Sequence, residues 1–352
     1  MPCTCNNTTN NLLSSNKLLE SLEGIDMTVE METKPEATSK ELTFTENTLY
    51  INGVDNKPVF VHHWHNEQKT TPKAVVQIVH GMAEHSARYK RFAKQLVAQG
   101  FSVVANDHRG HGRTVTEQDE FGHYSDQNGW QLVTSDLKQI NDWVKDSYPT
   151  TPVFIMGHSM GSFITRQFLI NHGSSVKGCI LSGSVWEPPL IYKAGEKVAW
   201  IESKRVGSKE TSALMNFLSF GSFNNAFKPT RTDFDWLSRD PEEVDKYVAD
   251  AFCGFDCTTQ LWMDLLGGLA SISSLKAMRN IPNKLPVLLI SGAKDPVGKN
   301  GKGVKALEDK LIAAGSNNIE CSLYPGARHE LLNEINRDAV SDRLISWLNQ
   351  NL

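Results

Sequence analysis

The sequence of 352 residues has neither a long apolar run nor a cluster of basic residues. A membrane-spanning helix needs about 20 mostly apolar residues in succession, and no stretch approaches that length. The formal net charge is −4. Proteins that bind nucleic acid concentrate lysine and arginine on one surface, so we expect no nucleic-acid partner.

Cysteine is also sparse, and its spacing matches no metal-binding pattern. None of the cysteines forms a C-x-x-C pair, and no histidine spacing completes a zinc site. A possible ligand cluster at His62, His63 and His65 is weakened because only His63 and His65 share a face of a strand. We therefore expect no metal and no cofactor. The six cysteines are Cys3, Cys5, Cys179, Cys253, Cys257 and Cys321.

The first 40 residues are rich in Asn, Thr, Ser and Glu. Such a segment buries too little apolar surface to offset its ordering entropy, which predicts a disordered or weakly ordered tail over 1–40. A short helix over 12–22 and acylation of Cys3 and Cys5 are the alternatives there. The segment lacks the basic start and apolar run of a secretory signal, so we expect a cytoplasmic protein with reduced thiols.

From residue 41 onward, predicted strands and helices alternate. Two strands flank Asn52-Gly53 and predict an antiparallel hairpin. The later runs, such as AVVQIVH, FSVVAND and PVFIMGHS, are apolar without alternation, which indicates strands buried on both faces of a parallel sheet. The pattern predicts an α/β fold of about eight mostly parallel strands flanked by helices.

The interval 184–283 breaks this alternation and contains no strand-helix pair. It carries four of the eight tryptophans and seven of the fifteen phenylalanines. We interpret it as a helical cap inserted into an α/β core made of 41–183 and 284–352. The apolar stretches 213–220 and 261–269 are expected to form a wall above Ser159, a residue of the core. The alternative is that these aromatic side chains pack the insertion's own core.

The strongest motif is G-H-S-M-G, which runs from Gly157 to Gly161 and lies between a predicted strand and a predicted helix. This is the context of a nucleophile elbow, a sharp turn that exposes a serine at the carboxyl edge of the sheet. The turn requires small residues two before and two after the serine, and Gly157 and Gly161 satisfy that need. Ser159 is therefore the candidate nucleophile.

An oxyanion hole needs two N–H donors directed at the developing negative charge. The helix start after the elbow offers the backbone N–H of Met160. The loop after the strand AVVQIVH offers a second N–H at Met82, in the sequence His80-Gly81-Met82. We expect these two donors to form the hole.

Three polar residues after the next strand, Asp107, Arg109 and His111, resemble a second site. We interpret them as a hydrogen-bonded loop that supports the oxyanion turn.

In proteins with a nucleophile elbow, the serine is followed along the chain first by the carboxylic acid and then by the histidine that complete the catalytic triad. Asp295 lies just past the strand PVLLI, and His329 lies just past the strand NIECSLY. Because Ser159 also follows a strand, folding can bring the three side chains together at one edge of the sheet. Another downstream histidine, His172, lies on the helix after the elbow, which is too close to its own strand to supply a base.

Five motifs in this order, HGMAEHSARY, DHRGHG, GHSMG, SGAKDPVG and YPGARHELLNE, resemble the monoacylglycerol lipase and lysophospholipase family of α/β-hydrolases. The resemblance covers nearly everything from residue 41 onward. It implies a carboxylic-ester hydrolase with a lipid-shaped entrance under a helical cap. The expected partners are thus a small ester or lipid substrate and, transiently, a membrane surface contacted by the cap.

Three alternatives stay open at this point. A small-ester esterase is one, and an aminopeptidase is another, because the cap contains acids that could hold a substrate ammonium: Glu187, Glu202, Asp233 and Asp235. A non-catalytic binding protein on the same fold is the third. It is disfavoured because such proteins usually lack a triad member, and all three are present here.

Overall fold

The computed structural model describes residues 43–68 and 71–352. The predicted tail over 1–40, the alternative helix over 12–22 and the cysteines Cys3 and Cys5 lie outside the described residues.

Eight strands form a single sheet among the described residues, in the order β1-β2-β4-β3-β5-β6-β7-β8. The first two strands are an antiparallel hairpin, β2 pairs antiparallel with β4, and all other pairs are parallel. The α/β prediction is therefore confirmed. The strands are β1 (Phe44–Asn52), β2 (Pro58–Asn66), β3 (Val75–Val79), β4 (Ser102–Asn106), β5 (Val153–His158), β6 (Gly178–Ser182), β7 (Val287–Gly292) and β8 (Ile319–Tyr324).

Helices cover both faces of the sheet because its central strands are apolar on both faces. Every residue of β3, β4, β5, β6 and β7 is buried. Two apolar clusters result, one on each side of the sheet. The helices are α1 (Lys90–Ala98), α2 (Gly129–Ser147), α3 (Met160–His172), α4 (Pro189–Val206), α5 (Ala213–Ser219), α6 (Pro241–Ala249), α7 (Thr259–Ile272), α8 (Leu275–Met278), α9 (Lys302–Ala314) and α10 (Arg337–Gln350).

Five of these helices, α4 to α8, lie between β6 and β7. We call residues 184–283, which contain these five helices, the cap. The starts of its helices follow from local sequence: Pro189 and Pro241 occupy first turns, where proline's missing N–H costs nothing. The side chain of Asp240 accepts a hydrogen bond from Glu242 N and that of Thr258 from Leu261 N, as expected of N-cap residues. None of the helices in the described part of the chain is both long and apolar enough to cross a membrane.

Candidate active site

Ser159 lies at the turn between β5 and α3, with φ 51° and ψ −122°. A positive φ is costly for a residue with a side chain, and such strain is typical of functional turns. The turn is tight on both sides. A Cβ at Gly157 would lie 2.5 Å from the Gly161 carbonyl oxygen, and one at Gly161 would collide with the carbonyl of Val79. The two glycines therefore allow the backbone to bend in this way.

Asp295 and His329 meet although 34 positions separate them. His329 Nδ1 lies 3.0 Å from Asp295 Oδ1, and both side chains are buried. The carboxylate is itself held by Val297 N, which donates to Oδ1 at 2.9 Å, and by Ser291 Oγ, which donates to Oδ2 at 3.0 Å. An ionised carboxylate only accepts hydrogen bonds, so the proton of His329 sits on Nδ1 and Nε2 is left as a proton acceptor.

Electrostatics at this pair favour the imidazolium. Burial lowers the pKa of His329, but the charge and hydrogen bond of Asp295 outweigh it, so the pKa is raised above its ordinary value of 6.5. The pKa of Asp295 is lowered, since His329 and Ser291 outweigh burial. The neighbouring His158 behaves oppositely: burial and then His329 lower its pKa to about 4. His329 therefore takes up a proton more readily than an ordinary imidazole, whereas His158 stays neutral at neutral pH.

Met160 and Met82 are the residues whose backbone N–H groups the sequence predicts to form an oxyanion hole. Met160 is the first residue of α3, so its N–H has no acceptor within the helix. Met82 lies in the loop after β3 and lines the same cavity as Ser159 and His329. A serine, a histidine oriented by a buried carboxylate, and two N–H donors are the groups that acyl transfer requires.

The cavity that contains Ser159 and His329 has a volume of about 400 Å³, within the usual range for small-molecule sites. Aromatic side chains from the cap form much of its wall: Phe217, Phe220, Phe234, Trp236, Tyr247 and Phe255. Phe223 instead packs against Trp236, so part of the aromatic content does build the cap's own core.

The expectation that 261–269 forms part of this wall is wrong. Within the described chain, the residues that line the cavity from the helical cap include Asn216 and Phe217 of α5 but none from 261–269. Leu261, Leu265 and Leu269 are buried in the apolar cluster on the core. The α7 helix packs against α4, α2 and α3, so its apolar face is buried against these helices and does not line the cavity.

The four cap acids named from the sequence have different surroundings. Glu187 pairs with Lys299, Glu202 with Arg205, and Asp235 accepts a hydrogen bond from Arg231 N at 2.6 Å. Asp233 lines the cavity and is exposed, as is Asp256, which the sequence did not single out.

The histidines of β2 are engaged in local contacts. His62 Nδ1 lies 3.1 Å from Glu46 Oε1, and the His62 ring stacks on that of Trp64. The rings of His63 and His65 stack on each other, with 4.5 Å between their centroids.

After β4, Asp107 accepts hydrogen bonds from Ser86 N at 2.8 Å and from Arg113 N at 2.7 Å. Arg109 makes a two-pronged ion pair with Asp136. The Ser86 contact connects the 107–113 loop to the segment that follows the Met82 loop, and the Arg109 ion pair connects it to α2. A set of potential metal ligands that sequence spacing did not indicate is His85, Asp250 and Cys253, whose ligand atoms lie within 4.8 Å of one another.

The sequence analysis also missed a buried ion-pair network whose carboxylates, Glu84 and Glu330, line the cavity. Arg88 donates two hydrogen bonds to Glu330, at 2.6 and 2.7 Å, and one to Glu84 at 2.7 Å. Glu84 in turn accepts a hydrogen bond from Gly81 N at 2.5 Å. Both Glu84 and Arg88 lie within the motif HGMAEHSARY, but the motif alone does not reveal that their charges are buried against Glu330.

Residues 70–336 match the family model described as "Serine aminopeptidase, S33". The chain belongs to this family of α/β-hydrolases. Its similarity to the monoglyceride lipase of Rattus norvegicus is 28% identity over 326 residues, covering 90% of this chain and 97% of that protein. Its similarity to the monoacylglycerol lipase of Mycolicibacterium smegmatis is 27% identity, covering 79% of this chain and 89% of the relative.

A similar solved structure is a thermostable carboxyl esterase from Bacillus coagulans in complex with glycerol. The TM-score is 0.79 at 29% identity, and the match covers 88% of this chain and 99% of that one. The resemblance inferred from the five motifs is thus confirmed at the level of the family. The two relatives and the solved structure described above are named as lipases and an esterase.

Proposed function

We propose that this protein is a serine carboxylic-ester hydrolase that acts on single-chain lipid esters, such as monoacylglycerols or lysophospholipids. The observation that carries the proposal is the cavity in which Ser159 and His329 lie beneath a wall of aromatic side chains. The names of the similar proteins, monoglyceride lipase and carboxyl esterase, agree with it.

The proposed reaction passes through an acyl-enzyme. His329 Nε2 takes the proton of Ser159 Oγ, and Oγ attacks the ester carbonyl carbon. The N–H groups of Met82 and Met160 stabilise the oxyanion, which collapses and expels the alcohol after protonation by His329. Water, deprotonated by His329, then hydrolyses the acyl-enzyme and releases the fatty acid. Asp295 holds the imidazole in the required tautomer throughout.

In this proposal the cap insertion, 184–283, selects the substrate, and the core supplies the chemistry. The α4 and α5 helices expose large apolar side chains to solvent, among them Leu190 at 76% and Phe217 at 69% exposure. Phe217 also lines the cavity, so the exposed apolar surface reaches its mouth. We propose that this surface touches a lipid interface transiently, because an exposed apolar patch of this kind often marks a membrane contact.

A series of aryl esters of increasing acyl length tests the substrate class. Each methylene buried by an apolar wall contributes about 0.8 kcal/mol, so kcat/KM is expected to rise up to about 4-fold per added carbon until the cavity is full. The measurement is made below the micellar limit of each ester. A maximum at two carbons with a steady fall afterwards would replace the lipid assignment with a small-ester esterase.

Aminoacyl nitroanilides serve as the comparison substrates in the same experiment. Asp233 and Asp256 are exposed carboxylates at the cavity that could hold a substrate ammonium, whereas Glu84 and Glu330, which also line it, are paired with Arg88. Hydrolysis of these amides at rates matching the best ester would favour the aminopeptidase instead.

The pH dependence of kcat/KM provides a separate prediction. The base must be neutral to accept a proton, and the pKa of His329 is raised, so activity is fully present above this pKa and is lost as the pH falls through it. The midpoint is expected above 6.5, with a fall of about tenfold per pH unit below it. Tryptophan fluorescence at each pH checks that the protein stays folded. A flat profile between pH 5 and 8, or a midpoint below 6.5, contradicts the assignment of His329.

A further inference from the structure

The loop that carries the proposed oxyanion donor Met82 contains a strained residue. Ala83, directly after Met82, has a φ of 51° and is buried. A residue with a Cβ disfavours this region of backbone space by about 1–3 kcal/mol relative to its ordinary conformations. Surrounding contacts must therefore hold Ala83 in place, and with it the peptide groups on either side.

Two of those contacts come from the cap. The Ala83 carbonyl accepts a hydrogen bond from Tyr247 Oη at 2.9 Å and another from Gly254 N at 3.0 Å. Tyr247 lies on α6, and 164 positions separate it from Ala83. The carbonyl of Ala83, the residue after Met82, is therefore held by hydrogen bonds from outside the α/β core.

The other end of the loop is anchored from within the core. Gly81 N donates to Glu84 Oε1, which also accepts a hydrogen bond from Tyr89 Oη at 3.0 Å. Arg88 binds the second oxygen of Glu84. Met82 thus lies between Gly81, which is held by the ion-paired Glu84, and Ala83, which is held by the cap.

The ring of Tyr247 is itself fixed. It is 6% exposed, and the guanidinium of Arg88 lies 4.8 Å from the ring centroid. Burial raises the pKa of the Tyr247 phenol, partly opposed by Arg88, so the hydroxyl stays protonated and can donate. The hydrogen bond to Ala83 thus comes from a side chain with little freedom to move away.

We propose that Tyr247 is a positioning residue, whose hydroxyl holds the Ala83 carbonyl and so directs the Met82 N–H toward the developing oxyanion. The inference rests on the proposed ester hydrolysis but is separable from it. It means that the cap contributes to the chemical step as well as shaping the cavity. Because the oxyanion develops only on the way to the transition state, this contribution belongs to kcat and not to substrate binding.

The test is Tyr247→Phe, which keeps the ring and removes one hydroxyl. Loss of a whole oxyanion donor costs about 10²- to 10³-fold in kcat, so loosening one is expected to cost about 10-fold or more. The KM and the midpoint of the acid limb should stay close to those of the wild type, since the His329–Asp295 pair is untouched. The loss should be equal for short and long acyl chains. Affinity for a trifluoromethyl ketone, whose adduct places an oxyanion in the hole, should fall in the same proportion.

Tyr148→Phe is the matched control. Its hydroxyl is also 2.9 Å from its hydrogen-bond partner, His63, and Tyr148 does not line the active-site cavity. Both variants lose one tyrosine hydroxyl, and both should melt within a few degrees of the wild type, but only Tyr247→Phe should lose kcat.

A second comparison uses Ala83→Gly. Glycine adopts a positive φ at little cost, so the loop then needs less help from the cap. Tyr247→Phe should therefore reduce kcat less in the Ala83→Gly background than in the wild type. An equal loss in both backgrounds would overturn the proposal.

Two further outcomes would overturn it. One is an unchanged kcat in Tyr247→Phe. The other is a raised KM that depends on the alcohol part of the ester, because Tyr247 would then contact the substrate directly. If Ser159 still reacts with a fluorophosphonate and esters are still cleaved, these outcomes reject the positioning role alone. Absence of ester cleavage in the wild type would instead reject the proposed function.

Discussion

Ser159→Ala is expected to reduce ester hydrolysis by about 10³-fold or more while leaving the fold intact. The proposed attacking atom, Oγ, is removed, whereas the positive φ of the turn and the cavity around it remain. The measurement is kcat/KM for a medium-chain aryl ester, together with labelling by a fluorophosphonate. The variant should no longer be labelled, because the probe bonds to the activated serine oxygen. Labelling of the wild type would also argue against a non-catalytic binding protein.

Ser184→Ala is the matched control for this experiment. Ser184 follows β6, is buried, and its Oγ has no hydrogen-bond partner among the residues that the structure describes. Replacing it removes a hydroxyl of the same kind without breaking a hydrogen bond, so activity and labelling should persist. Activity near the wild-type level in a correctly folded Ser159→Ala protein would end the assignment of Ser159 as nucleophile.

Asp295→Asn is expected to reduce kcat by roughly 10³- to 10⁴-fold, as loss of the orienting carboxylate does in serine proteases. The amide still fills the space between Ser291 and Val297, so the fold should survive. It can, however, donate to His329 Nδ1, which moves the ring proton to Nε2 and blocks proton transfer from Ser159. Whatever activity remains should have its acid limb at lower pH, because the charge that raises the pKa of His329 is gone.

The pH profile separates this explanation from simple unfolding. The control is Asp342→Asn, an exposed aspartate on α10, which should behave as the wild type. A residual activity in Asp295→Asn whose acid limb has not moved, or a loss smaller than about tenfold, would show that Asp295 does not act on His329.

Much of the fold could be predicted because its signals are local. Mostly apolar runs without alternation, such as VVQIV and VLLISG, predict strands buried on both faces, and all their residues are buried. The same pattern places Ser159, Asp295 and His329 within a few residues after the ends of β5, β7 and β8. Since the carboxyl ends of parallel strands lie at one edge of the sheet, the sequence predicts that these residues lie close together. In the structure, His329 Nδ1 lies 3.0 Å from Asp295 Oδ1.

The cap shows where local pattern stops being informative. Stretches 213–220 and 261–269 look equally apolar, yet only the first contributes to the cavity. The second is buried against the core because α7 packs there. The apolar face of a helix predicts that this face will be buried. The element against which it packs depends on the whole arrangement of helices.

The sequence by itself determined the sheet, the elbow with its two small flanking residues, and the chain order of serine, acid and histidine. Only the tertiary structure decided which aromatic side chains face the cavity, that Arg88 neutralises both Glu84 and Glu330, and that Tyr247 holds the carbonyl of Ala83. The physical reason is distance along the chain. Elbows and strands depend on neighbours within a few residues, whereas the Arg88–Glu330 and Tyr247–Ala83 contacts join positions 242 and 164 residues apart.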